Sequence, residues 1–187
     1  MKKTLIVAIT LLIAFAFIAC GPEPLTKEEL LIQKKGWELY TATSNPAYTN
    51  SSNVTSENLF VSFFYPCELD DILYFNENKS SVLNFGKLIC EDQTGKDVSL
   101  GNWKFKGEEV LEFHLPYFFD DDNNFALLEG KVIVLDENTL QLRIPVEFVD
   151  DDTPAKGKGK IRNDRGIKCA KGESDKFDFT LTYKIAK

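Results

Sequence analysis

Strict alternation of apolar and polar residues constrains this chain more than any other feature. Near the C-terminus Phe177, Phe179, Leu181, Tyr183 and Ile185 alternate with Asp178, Thr180, Thr182 and Lys184. Upstream, Leu140, Leu142, Ile144 and Val146 alternate with Gln141, Arg143 and Glu147. Trp103 and Phe105 alternate in the same way with Asn102, Lys104 and Lys106. A period of two sends successive side chains to opposite faces of a strand. One buried face and one wet face suit antiparallel pairing.

Turn-forming residues cut the chain into eight such stretches, at 37–43, 72–76, 81–89, 102–106, 110–115, 125–135, 140–148 and 177–185. Short connections join most of them. Thr26 and Glu29 have the capping-box spacing, so a short helix is expected over 27–35, plugging one end of the domain. The polar run 44–56 reads as a loop. Ser56 can cap a short helix through Tyr65, with a strand over Leu59–Tyr65 as the alternative. The expected fold is all-β: an eight-stranded antiparallel up-and-down barrel with a short N-terminal helix. A β-sandwich would show the same alternation. A barrel of this size is either filled by its own side chains or holds one small ligand.

The N-terminus reads as an address. Lys2 and Lys3 precede sixteen uncharged residues, Thr4 to Ala19. That run is shorter than the roughly 20 residues of a membrane span, and the layout is that of an export signal. Ala19-Cys20 resembles the lipobox of bacterial lipoproteins, with Phe17 in the place of the usual leucine. The resemblance implies cleavage before Cys20 and its acylation. Residues 1–19 would then be signal peptide, 20–26 a tether and 27–187 the barrel domain, with an insertion at 149–175. Acyl chains on Cys20 would anchor the protein to a membrane of the bacterial envelope. The outer membrane, at its periplasmic face or at the cell surface, is the expected location.

Removal of Lys2 and Lys3 leaves 20 basic against 29 acidic residues, a net charge of −9. That balance argues against a nucleic-acid partner. Fifteen Phe, six Tyr and two Trp against one Met favour strands. Outside the cytoplasm disulfides persist. A bridge between Cys67 and Cys90 would close a short loop and contribute about 3 kcal/mol. Cys169 is then a buried thiol, a reactive one, or the true partner of either.

Several of these residues together resemble a family. Cys67-Glu68-Leu69-Asp70-Asp71-Ile72-Leu73-Tyr74-Phe75, the later Gly86 and Cys90, and Gly101-Asn102-Trp103-Lys104-Phe105 are similar to segments of the lipocalin-like lipoproteins of Bacteroidetes. The closing Phe179-Thr180-Leu181-Thr182-Tyr183 fits as well. The resemblance runs from about Trp37 to Ile185. It implies a lipocalin-type barrel and supports the Cys67–Cys90 bridge. Two departures stand out: Gly36 directly precedes Trp37 where lipocalins proper carry Gly-x-Trp, and a long basic insertion precedes the last strand.

The chain offers little that reads as catalysis. His114 is the single histidine and falls on the outward alternation of its strand. No nucleophile elbow, His-x-x-x-His pair or phosphate loop occurs. Asp70 and Asp71 open a strand, where capping or rim hydrogen bonds are expected of them. Asp120 to Asn124 and Asp150 to Asp152 supply hard oxygen ligands but lack the spacing of a calcium loop. No cofactor and no enzymatic activity are expected. Two surfaces remain for binding. Trp37, Phe75, Phe85, Trp103, Phe105, Phe113, Leu142, Phe179, Leu181 and Tyr183 point inward by alternation. They would line a site for a small apolar or amphipathic ligand if the interior is open. Lys156, Lys158, Lys160 and Arg162 head a basic run through Ala155–Gly172. That run could meet an anionic glycan, lipid or protein, making the chain an interaction or inhibitor module.

Overall fold

A computed structural model describes residues 23–49, 53–61, 63–91, 95, 97–119, 125–149, 160–162, 168–169 and 176–187. The signal segment, Cys20, the two Asp-rich turns and Lys156 and Lys158 of the insertion lie outside the described residues. Among those described, no helix is long and apolar enough to cross a membrane.

The alternation produces a nearly closed antiparallel barrel. Its strands are β1 (Trp37–Thr49), β3 (Ile72–Phe75), β4 (Ser80–Asn84), β5 (Asp97–Asn102), β6 (Lys104–Lys106), β7 (Val110–Phe119), β8 (Phe125–Leu135), β9 (Thr139–Val149) and β12 (Lys176–Ile185). The neighbours run β5-β4-β3-β1-β12-β9-β8-β7-β6. Short connections follow chain order, and the last strand returns to the first, Trp37 opposite Ile185. The topology is therefore up-and-down, and the sandwich alternative is set aside.

The barrel closes through one stretch of chain. β5 pairs with β4, β6 pairs with β7, and only Trp103 separates β5 from β6. The expected fourth strand is this stretch, extended upstream and broken in the middle. Gly101 marks the break. Its φ is +127°, and a Cβ there would lie 2.6 Å from the imidazole of His114 on β7. Glycine lets the two walls approach where hydrogen bonding between them stops.

Two expectations change. The run 44–56 is not all loop: β1 continues to Thr49, and β2 (Thr55–Asn58) pairs back onto it. The segment after Ser56 is neither helix nor core strand. A single 3-10 turn at Leu59–Val61 follows β2 and turns Leu59, Phe63 and Phe64 into the barrel. The apolar run alone could not reveal this, because a plug and a buried strand have the same composition.

The helix α1 (Lys27–Leu31) is shorter than expected, and Thr26 and Glu29 form both bonds of the capping box. It seals the lower end: the indole Nε1 of Trp37 donates to Leu31 O at 2.8 Å, and Lys27 Nζ donates to Glu108 O. The core is one cluster. Leu31, Trp37, Leu111, Phe113, Leu140, Leu142 and Leu181 are among its fully buried members.

Candidate functional site

The interior comes first, since its volume decides what the barrel can hold. Trp37, Phe75, Trp103, Phe113, Leu142, Phe179, Leu181 and Tyr183 are all buried, and Phe85 and Phe105 pack partly buried against them. Each of the ten residues that alternation sends inward is therefore buried or partly buried. The rings fill the space they face. Phe75 meets Trp103 and Phe113 edge-on, and Trp103 meets Phe105. In the upper half Phe63 stacks on Phe118 at 4.8 Å and contacts Tyr48, Phe64, Phe148 and Phe179. Between Trp37, Leu73, Leu83, Leu115 and Tyr183 a void of about 20 Å³ remains, room for about one water molecule. Burial among these apolar neighbours pushes the phenol of Tyr183 well above its ordinary value.

The disulfide region is built as a clamp. Cys67 and Cys90 are bonded, with Cα atoms 5.5 Å apart. Asp71 Oδ1 accepts from Gly86 N at 2.7 Å, and Asp70 Oδ2 accepts from Lys87 N at 2.7 Å and Leu88 N at 3.2 Å. The two carboxylates thus hold the chain leading to Cys90 by three amide donors. A Cβ on Gly86 would lie 2.3 Å from Asp70 Cγ, so this close approach requires glycine. Past the clamp Leu88 and Ile89 are more than half exposed, as is Tyr65.

His114 is half-buried rather than a free surface group. Its Nδ1 lies 2.8 Å from Phe125 O, and its ring covers Gly101 at the barrel seam. Across the outer wall Glu112 is buried between Lys104 Nζ at 3.0 Å and Lys106 Nζ at 2.8 Å, and Lys106 also reaches Glu129. Register explains the row, since Glu112 faces Lys104 on one side and Glu129 on the other. No group of His, Cys, Asp and Glu among the described residues is arranged to hold a metal ion.

The larger space is outside. A groove of about 590 Å³ crosses the outer face at Asn45, Pro145, Lys176 and Asp178. Strand register aligns its floor: Asp178 of β12 faces Pro145 of β9 on one side and Asn45 of β1 on the other, with Lys176 opposite Glu147 one step away. Pro46 and Pro145 supply apolar surface, and Glu129, Glu147, Asp178 and Lys176 supply charge. Alternation does not reveal the outward residues of this groove, because Asn45, Glu129, Pro145, Glu147, Lys176 and Asp178 lie on the polar side of their strands. Only register across four strands, β1, β12, β9 and β8, brings them together.

Of the basic insertion, the backbone of Lys160–Arg162 forms β10, parallel to β9, and Lys168–Cys169 forms β11, paired with β1 at Tyr48 and Thr49. Comparison with known proteins finds no matching family model, no similar curated protein and no similar solved structure.

Proposed function

We propose that this chain is a lipid-anchored lipoprotein of the bacterial envelope, lipocalin-like in architecture, which binds a small amphipathic ligand without transforming it. The binding takes place in the outer groove, not inside the barrel. One contrast carries the reading: among the described residues the interior void at Trp37 and Tyr183 holds about 20 Å³, whereas the outer groove offers about 590 Å³, within the usual range of small-molecule sites. Glu129 is already paired with Lys106, so Glu147 and Asp178 against Lys176 leave one net negative charge, which favours a ligand with a cationic head and an apolar body. The envelope address rests on the lipobox-like Cys20.

The test uses the mature chain in detergent. A long-chain alkylamine should raise its melting temperature, and a fatty acid of equal length should not. Glu147→Lys with Asp178→Lys should remove the shift. An equal shift in the double variant, or none in the wild type, overturns the groove. Separately, Cys20→Ser should release the protein from membranes, and retention would overturn the anchor.

A second reading, an interaction or inhibitor module, is supported by Tyr65, Leu88 and Ile89, exposed by 58%, 55% and 58% beside the disulfide. The basic insertion would add an anionic contact. Leu88→Asp with Ile89→Asp should then abolish capture of a partner from envelope extract, and neutralising Lys156, Lys158 and Lys160 should weaken it.

A further inference from the structure

A second groove, of about 480 Å³, lies at the lower end, between the segment after α1 and the β3–β4 turn. Its polar groups are held in place by their own bonds. Ser80 Oγ donates to Asn78 Oδ1 at 2.7 Å, so it accepts from Asn76 Nδ2 at 3.0 Å. Ser80 N also donates to Asn78 Oδ1, at 3.0 Å. Gln33 Nε2 donates to Leu30 O at 3.0 Å. Each amide therefore spends one polar atom on fixing itself. The other atom, Asn76 Oδ1, Asn78 Nδ2 or Gln33 Oε1, has no partner among the described residues.

The turn itself is immobilised. Trp103 Nε1 donates to Asn76 O at 3.2 Å, and the Trp103 backbone N–H donates to Lys79 O at 2.8 Å. Lys79 lies over the Trp103 ring and pairs with Glu28 at 2.6 Å. Tyr74, Lys34 and Glu77 complete the lining, with apolar surface from Ile32. The charges of Lys34 and Glu77 cancel.

We infer that this lower groove is a binding site for a neutral polyhydroxylated ligand, a saccharide. Sugar hydroxyls both donate and accept, which matches fixed amides that present two free acceptor oxygens and one free donor nitrogen. The C–H face of a sugar ring suits the apolar surface of Ile32. Pre-organised groups lose little freedom on binding. The inference is independent of the outer groove and of the lipid anchor.

The experiment is saturation-transfer NMR on the mature chain in a polyoxyethylene detergent, which carries no sugar. The probes are glucose, galactose, mannose, N-acetylglucosamine and their disaccharides, with phosphoethanolamine as the zwitterionic competitor. Asn78→Asp keeps both bonds from Ser80 but removes the free donor, and Tyr74→Phe removes only a hydroxyl. We expect transfer to at least one sugar, with Kd raised about tenfold by Asn78→Asp and about threefold by Tyr74→Phe, as for one lost hydrogen bond each. The melting temperature should hold in Tyr74→Phe, which keeps the test valid if Asn78→Asp folds poorly. Asp178→Asn, in the outer groove, should change nothing. Absence of transfer from every sugar, transfer untouched by both variants, or transfer from phosphoethanolamine alone overturns the inference.

Discussion

The two ends of the barrel are closed by different physics. At the lower end directed bonds do the closing. Two indole N–H groups reach backbone carbonyls, Trp37 to Leu31 and Trp103 to Asn76, and α1 is held through its capping box and Lys27. At the upper end apolar volume does it. Phe63 sits among rings from β1, β7, β9 and β12, and the carboxylate clamp and disulfide hold the neighbouring chain. Directed bonds leave a groove edged with oriented polar atoms, whereas packed rings leave no room. That difference explains why candidate binding surfaces lie outside the barrel and at its foot.

The largest expected effect tests the upper end. Phe63→Ala should cost about 3–5 kcal/mol, since it removes a buried ring and leaves a cavity among others. Denaturant melts would show it. A loss below about 1 kcal/mol would mean that the plug is not packed as described. Next, Cys67→Ser with Cys90→Ser should cost about 3 kcal/mol under oxidising conditions and nothing in reductant. Equal melts of variant and wild type without reductant would remove the staple. At the lower end Trp103→Phe keeps most of the ring but orphans Asn76 O and weakens the contact with Lys79. About 1–3 kcal/mol is expected, with local protection against hydrogen exchange lost at residues 76–80. Thr26→Ala should cost about 1 kcal/mol by loss of the helix cap, read in the same melts.

The smallest effect is invisible at neutral pH. Tyr183 has its folded pKa raised above the ordinary 10.0 by burial. Its contribution is complete below pH 10 and is lost as pH rises further, because only the unfolded chain ionises there. Melting temperature should fall above pH 10, and Tyr183→Phe should flatten that fall. An unchanged alkaline slope would place the phenol in water.

Much of this was legible in the residues. Alternation found ten inward residues, including Trp37, Phe113 and Tyr183, and eight stretches that contribute to the barrel wall, although the one over 81–89 stays a strand only to Asn84. Asp70 and Asp71 were rightly expected to make rim hydrogen bonds. Their acceptance from Gly86, Lys87 and Leu88 could not be foreseen, because those amides lie fifteen to eighteen residues away. His114 was read as an outward residue, and only the approach of Gly101 across the seam shows why it is half-buried. Neither groove was anticipated. The outer one needs the register of β1, β12, β9 and β8, and the lower one needs α1 seated beside the β3–β4 turn.

By itself, then, the sequence determined that the chain is all-β, which faces of its alternating stretches point inward and where most of the turns fall. A period of two is a local property, written in successive residues. Tertiary structure alone decided that the barrel is filled, that residues 59–64 plug it and that the fourth strand breaks at Trp103. Those outcomes depend on the summed volumes of side chains far apart in the chain, and no local pattern encodes a sum.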